Sequence, residues 1–178
     1  MEKLPNHTAL KEWSNVVAAL ASGEQMILIR KGGIADPSFG IDAQRFYLYP
    51  TYFHQGESEA RPEVTVTHWC EVVRTWTVSD FALVEKLGPE VVMPAETLAA
   101  RYRFRPDQAL FVIAVRTWEL AQPVRVRFDE TYGGCKSWIS VEEEIDVSGS
   151  RPVLSEEQLA SRIAVIAALL EPAGSVAV

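Results

Sequence analysis

A nearly continuous apolar run at residues 109–120 constrains the fold more than any other feature of the chain. A strand that is apolar on both faces is typical of the buried centre of a sheet. We therefore predict a central strand at this position, with the other elements assembled around it.

Five further segments have the composition or alternation of β-strands: residues 26–30, 44–49, 64–78, 124–128 and 135–141. Segment 64–78 is longer than a typical strand, so we expect a bulge or a division into two strands. In segment 44–49, Arg45 and Tyr49 share one face. The last two segments flank a glycine turn at 132–134 and predict a hairpin.

Apolar periodicity and end signals predict helices over residues 8–22, 80–87, 94–102 and 155–171. In the first helix, Leu10 and Trp13 lie on one face, and Gly23 suits the position after its end. The last helix opens with a capping box, in which Ser155 and Gln158 satisfy each other's backbone groups.

These elements predict a single α+β domain over residues 1–178, because no repeat or linker divides the chain. We expect a mixed or mostly antiparallel sheet of about six strands, with an N-terminal and a C-terminal helix packed on it. The last six residues are expected to be frayed. The residues expected to be largely buried are Trp13, Leu20, Ile27, Ile29, Phe111, Ile113 and Ile166.

The chain has a net charge of −7 at pH 7, which disfavours nonspecific binding to DNA. Residues 101–127 are an exception, with six arginines against Asp107 and Glu119, a local charge of +4. The sequence contains no secretory signal, no run of about 18 apolar residues, and two cysteines, Cys70 and Cys135. These features predict a cytoplasmic protein with reduced thiols and no membrane partner.

Sequence motifs for familiar cofactor and metal chemistry are absent. The chain has no GxGxxG or GxxxxGK[ST] phosphate loop, no HExxH and no GxSxG. The cysteines lie 65 residues apart and no CxxC or HxxxH spacing occurs, which argues against a zinc site. We therefore expect no cofactor and no metal, and assign no catalytic residue.

The first candidate binding segment is Arg30, Lys31 and Gly32 at the end of a predicted strand. Two cations beside a flexible backbone can hold an anionic group. The alternative is a solvated turn after a core strand, because such turns also form for conformational reasons alone.

The second candidate is an aromatic connection that contains Tyr49, Tyr52, His54 and Gln55. Aromatic rings stack on nucleobases, and His or Gln can hydrogen-bond to base edges. The alternative is that the aromatic rings cover the edge of the core and His54 binds a backbone carbonyl.

The arginines of the basic segment form a third candidate. In extended geometry Arg101, Arg103 and Arg105 share a face, as do Arg125 and Arg127. Such a surface can bind phosphate groups. The alternative is pairing with neighbouring carboxylates, of which the chain has 24.

Two catalytic interpretations also remain open. Cys135 can serve as a nucleophile with His54 as base and Asp129 as the orienting group, provided that the three meet in space. Alternatively, Cys135 is a buried structural residue. A metal-dependent nuclease would need an acidic strand end such as Asp107, but no Glu-x-Lys or Asp-x-Lys follows it.

The combination of several short segments resembles a family of uncharacterised bacterial proteins, domain of unknown function 1802. These segments are KEW at 11–13, ILIRKGGI at 27–34, FYLYPT at 46–51 with His54 and Gln55, GCKSW at 134–138 and PVLS at 152–155. The resemblance covers nearly the whole chain and implies one complete domain. It implies no particular activity, substrate or catalytic residue.

The sequence favours a non-catalytic module that binds an anionic ligand, either a nucleic acid or a nucleotide. The predicted ligand-binding residues are Arg30, Lys31, Gly32, Arg45, Tyr49, Tyr52, His54, Gln55 and Trp138. A hydrolase or nuclease that uses His54 with Cys135 or a carboxylate is the first alternative, and a protein-interaction module is the second. Convergence of the basic and aromatic residues on one concave surface would favour a binding site.

Overall fold

The computed structural model describes residues 1–4, 7–31, 44–52, 61–104, 106–107, 109–133 and 137–171. Within them the strands are Thr8–Trp13 (β1), Ile27–Lys31 (β2), Arg45–Thr51 (β3), Glu63–Val78 (β4), Leu110–Arg127 (β5), Trp138–Ser140 (β6) and Arg151–Pro152 (β7). The α-helices are Ser14–Ser22 (α1), Phe81–Lys86 (α2), Ala95–Arg103 (α3) and Glu156–Leu170 (α4). No helix among the described residues is long and apolar enough to cross a membrane.

The strands form one mixed sheet in the order β2-β5-β4-β3-β1-β6, and β7 pairs with β5. The β1–β3 pair is parallel and the other described pairs are antiparallel. The predicted fold class, an α+β domain with a mixed sheet and helices at both ends, is confirmed.

The predicted central strand is also confirmed, because β5 lies between β2 and β4. β5 extends further than predicted and includes the segment expected to be a separate strand. Pro123, which cannot donate a backbone hydrogen bond, falls where the β4–β5 register shifts between Val66 and His68. At this first shift the extra residues are in β5. A second shift lies between Val72 and Arg74, where the extra residue is in β4, so β4 contains one bulge, as its length predicted.

The predicted helix over residues 8–22 is wrong in its first six residues. Thr8–Trp13 is a strand, hydrogen-bonded to β3 on one edge and β6 on the other, and the helix begins at Ser14. Two ladders of backbone hydrogen bonds, with Leu10 in the core, outweigh the weak helical preference of this segment. Gly23 does end the helix, with the left-handed φ of 76° expected there.

The predicted hairpin is also wrong, because β6 pairs with β1 and not with β5. Pro50, expected to end the second strand, lies inside β3. The three remaining helices are close to their predicted positions. Asp80 caps α2, and the capping box of Ser155 and Gln158 opens α4.

Two faces of the sheet bury separate clusters around the central strands. One side of β2 and β5 is covered by α2, α3 and α4, and the other by α1. Leu10 of β1 and Leu28 of β2 belong to the same cluster, although three strands separate β1 from β2 in the sheet order. The sheet therefore curls. Of the predicted core residues, Leu20, Ile27, Ile29, Ile113 and Ile166 are buried, whereas Trp13 and Phe111 are partly exposed.

Candidate anion-binding site

The curl of the sheet brings the end of β2 against the end of β1. Arg30 Nη1 donates a hydrogen bond of 3.0 Å to Glu12 Oε2. The Glu12 side chain is 2% exposed and that of Arg30 13% exposed, so this ion pair lies well inside the surface. Arg30 was predicted as a binding residue, but Glu12 was not.

Further hydrogen bonds hold Glu12 in place. Its second oxygen, Oε1, accepts from the backbone N–H of Trp13 at 2.9 Å, so both carboxylate oxygens are engaged. The Thr51 hydroxyl, on the neighbouring strand β3, donates to the backbone carbonyl of Glu12 at 3.1 Å. A buried carboxylate with these partners is a fixed negative charge at the strand end.

A second guanidinium group reaches the same place from α3. Arg101 Nη1 donates to the Ile29 carbonyl at 2.7 Å, and its guanidinium lies 5.2 Å from the ring centroid of Trp13. Burial lowers the pKa of Arg101; the Glu12 charge opposes this shift, and the Arg30 charge adds to it. Two guanidinium groups therefore lie close to one carboxylate, and of the two only Arg30 hydrogen-bonds to it.

The two arginines use few of their hydrogen-bond donors on protein partners. An arginine side chain carries five N–H donors. Within the described residues, Arg30 donates one hydrogen bond, to Glu12, and Arg101 donates one, to Ile29. With Glu12, the group has a net charge of +1 and eight of ten guanidinium N–H donors without a protein acceptor in this part of the chain.

Lys31 lies on the opposite face of β2 from Arg30, because neighbouring residues of a strand point to opposite sides. It is 7% exposed, and its ammonium lies 4.8 Å from the ring centroid of Tyr102. No acceptor among the described residues hydrogen-bonds to this ammonium. The predicted Arg30–Lys31 pair is thus divided between two sides of the strand.

Arg45 lies away from this cluster, whereas Trp138 is the register partner of Leu10, two residues before Glu12 on β1. Arg45 precedes Pro50, the register partner of Glu12, by five residues, about 17 Å along β3. It is paired with Glu71, at 2.9 Å from Nη2 to Oε1. Trp138 packs edge-on against Phe46 with 5.1 Å between ring centroids.

The aromatic segment is divided in a similar way. Tyr49 is 4% exposed and contacts Tyr132 edge-on at 5.9 Å. Burial, Tyr132 and Glu143 together raise the pKa of Tyr49 to about 12, so its hydroxyl stays protonated. Tyr52 is covered by the Arg61 guanidinium at 3.6 Å from the ring centroid. Gly32, His54 and Gln55 lie outside the described residues.

The basic segment does not form an extended surface. Arg101 and Arg103 lie on α3, where residues two apart point to roughly opposite sides. Arg116 and Arg125 are paired with Glu156 and Glu63, at 2.5 and 3.6 Å. Pairing with carboxylates, the alternative to a phosphate surface, therefore accounts for these two arginines. Arg105 lies outside the described residues.

A cleft of about 720 Å³ lies at the far end of β5 from the Glu12 cluster. Its lining residues are Glu63, Arg125, Arg127, Phe128, Asp129, Tyr132, Glu142 and Glu143. Four carboxylates against two guanidinium groups make this cleft unfavourable for an anion.

The residues of the catalytic alternatives give no assembled catalytic group within the described part of the chain. Asp129 accepts hydrogen bonds from the backbone and hydroxyl of Thr131, while Cys135 and His54 lie outside the described residues. Burial raises the pKa of the Cys70 thiol to about 12, which keeps it in the unreactive protonated form. No group of three His, Cys, Asp or Glu side chains among the described residues is arranged to hold a metal.

The fold is similar to that of proteins whose structures have been solved. The chain resembles the crystal structure of a single-residue mutant of the ASCH protein from Zymomonas mobilis, with a TM-score of 0.51 and 12% identity over 92% of this chain and 99% of that one. The ASCH structure from the same organism matches with a TM-score of 0.49 and 13% identity, over 89% and 94% of the two chains. At such identities the likeness concerns the fold.

The chain belongs to the family described as Domain of unknown function (DUF1802), whose family model matches residues 9–164. This confirms the resemblance seen in the sequence. No curated protein sequence matches the chain significantly.

Proposed function

We propose that this protein is a non-catalytic module that binds an anionic nucleotide or nucleic acid at the cluster of Glu12, Arg30 and Arg101. The observation that carries the proposal is that two largely buried guanidinium groups lie close to one carboxylate and have most of their N–H donors without an acceptor among the described residues. Phosphate oxygens match those donors, because guanidinium groups bind them in bidentate fashion.

The surroundings of the cluster favour a phosphate over a weaker acceptor. Charge–charge attraction is several times stronger near a protein interior than in water, so a net charge of +1 on largely buried groups is an effective anion site. Glu12 prevents the two like-charged arginines from repelling each other and holds Arg30 in position without saturating it. The Trp13 ring supports the Arg101 guanidinium from one side.

The test compares arginine-to-lysine substitutions at three positions. Lysine keeps the positive charge beside Glu12 but loses the planar fork, so folding is largely preserved while phosphate recognition is weakened. We expect Arg30→Lys and Arg101→Lys each to weaken binding of adenosine monophosphate by about tenfold, the equivalent of one lost charged hydrogen bond. Isothermal titration calorimetry at low salt measures this change.

Arg45→Lys is the matched control, because Arg45 is an exposed arginine paired with Glu71 outside the cluster. Its affinity should equal that of the wild type. Absence of binding by the wild-type protein at low salt, to adenosine monophosphate and to short oligonucleotides alike, would overturn the proposal. Equal loss in all three variants would overturn the assignment of the site.

A further inference from the structure

We infer that the anion recognised by the Arg30–Arg101 cluster is a phosphate monoester, the terminal phosphate of a mononucleotide or of an oligonucleotide 5′ end, rather than a phosphodiester within a strand. The inference rests on the proposed function and narrows its ligand. Three properties of the molecule support it: the burial of the cluster, its charge and the pairing of arginines elsewhere with carboxylates.

The first property is the burial of the cluster. The side chains of Glu12 and Arg30 are 2% and 13% exposed, so little of their surface is open to a ligand. A phosphate within a strand carries a sugar on each side, and both sugars must stay outside a largely buried site. A terminal phosphate is attached on one side only, so it can enter and bring three oxygens to buried donors.

The second property is the charge. A phosphate monoester carries about −1.5 to −2 at neutral pH, whereas a diester carries about −1. Two guanidinium groups offset by one carboxylate attract the more highly charged anion more strongly, and the partly buried setting amplifies the difference.

The third property is that most described arginines away from the cluster are paired with carboxylates. A strand bound along its backbone needs a row of cations that are available to its phosphates. Six arginines elsewhere on the molecule instead form ion pairs with carboxylates: Arg45, Arg74, Arg116, Arg125, Arg151 and Arg162. With a net charge of −7, the protein repels the successive phosphates of a longer strand.

The experiment measures affinities for matched pairs of ligands that differ in the terminal phosphate. One pair is adenosine monophosphate and adenosine. The other is a short single-stranded oligonucleotide with a 5′-phosphate and the same strand with a 5′-hydroxyl. We expect the phosphorylated member of each pair to bind about tenfold more tightly or better, in line with the extra charge. Doubling the length of the phosphorylated strand should leave its affinity unchanged.

A pH series gives a second readout. Binding of adenosine monophosphate should weaken as the pH falls through about 6, where the monoester takes up its second proton. Binding of a dinucleotide diester should be unchanged over the same range. In Arg30→Lys the preference for the monoester should shrink, and in Arg45→Lys it should remain.

The outcomes separate the two proposals. Equal affinity for 5′-phosphate and 5′-hydroxyl strands, with affinity rising with length and still lowered by Arg30→Lys, would overturn the monoester inference and leave the proposed function standing. If neither member of any pair binds at low salt, both proposals fail. Tight binding of adenosine monophosphate alone would assign the site to mononucleotides, and equal binding of the phosphorylated strand would extend it to strand ends.

Discussion

Glu12 is a negative charge placed where the proposed ligand is also negative. It accepts hydrogen bonds from Arg30 and from the Trp13 backbone, and it is almost fully buried. Its presence stabilises the folded protein, because two buried guanidinium groups without a counter-charge would repel each other. The same charge competes with any bound phosphate. The Glu12 side chain therefore raises the stability of the fold and lowers the affinity for a phosphate.

Replacement of Glu12 by glutamine should lower the stability of the folded protein and raise its affinity for the proposed ligand. We expect Glu12→Gln to lose about 3–5 kcal/mol of unfolding free energy, the usual cost of breaking a buried ion pair. We expect the same variant to bind adenosine monophosphate about tenfold more tightly, because a repulsive charge a few ångströms from the phosphate is removed. Chemical denaturation and calorimetry measure the two effects.

Glu71→Gln is the control for that experiment, since Glu71 pairs with Arg45 in an exposed position. It should change neither quantity by much. Tighter binding in both variants would indicate a general effect of net charge, and weaker binding in Glu12→Gln would show that Glu12 positions Arg30 more than it competes with the ligand.

Among the secondary-structure elements, α4 is the one whose sequence signals agree most closely with the structure. Its capping box, with Ser155 accepting from the Gln158 backbone at 3.2 Å and Gln158 accepting from the Ser155 backbone at 2.9 Å, lies where the sequence predicted. Arg162 then fastens the helix to the α1–β2 turn by donating to the carbonyls of Gly23 and Glu24. Local and tertiary contacts therefore act together on this helix.

The substitution Ser155→Ala tests the contribution of the cap. It should lower the unfolding free energy by about 1 kcal/mol, the typical value for a lost N-cap. The matched change Ser161→Ala, at an exposed position within the same helix, should have little effect or stabilise slightly, because alanine is the better helix former. Urea denaturation measures the unfolding free energy of both variants. A loss of similar size in the two would contradict the role of the cap.

Elements specified by local patterns could be predicted from the sequence, whereas those specified by distant partners could not. The capping box that begins α4 is contained in residues 155–158. The apolar run that identifies β5 is likewise contained in one continuous segment. Thr8–Trp13 reads as helix because Leu10, Trp13 and Val17 have helical spacing, yet β3 and β6 pair with it as a strand. No local signal marks either partner.

The same distinction explains the candidate site. Arg30 and Lys31 were predicted because they stand next to each other in the sequence, at the end of a strand that the pattern identifies. The sequence did not predict that Glu12 pairs with Arg30 or that Arg101 lies beside it. Only the curl of the sheet brings Glu12 to Arg30, and only the packing of α3 brings Arg101 to Ile29. Glu12 lies two residues after buried Leu10, and recognition of β1 as a strand would have placed both side chains on one face.

At the scale of the whole molecule, the strands of the sheet differ in how many residues they pair. β4 and β5 pair at 14 register positions, whereas β6 pairs with β1 at three, at the outer end of the sheet. Local opening requires less free energy where fewer contacts must break. The β4–β5 ladder therefore forms the most stable part of the fold, and the β1–β6 edge opens before it.

Hydrogen exchange followed by mass spectrometry tests this order. Peptides that cover β4 and β5 should retain deuterium protection longest, with peptides from β6 exchanging well before them. Addition of adenosine monophosphate should slow exchange in β1 and at the end of β2, where the proposed ligand is held. Faster exchange in β5 than in β6 would contradict the hierarchy.

The position of β1 between β3 and β6 has a consequence for how the protein is made. β6 begins at Trp138, 125 residues after the last residue of β1. At 5–20 residues per second, a ribosome needs roughly 6–25 s to supply that second neighbour. During this interval one edge of β1 has no strand beside it, and Glu12 stands on a segment that is only half paired. The strand that carries Glu12 therefore gains its second neighbour only after both arginines of the cluster have been synthesised, which makes the β1–β6 edge one of the last parts of the sheet to form.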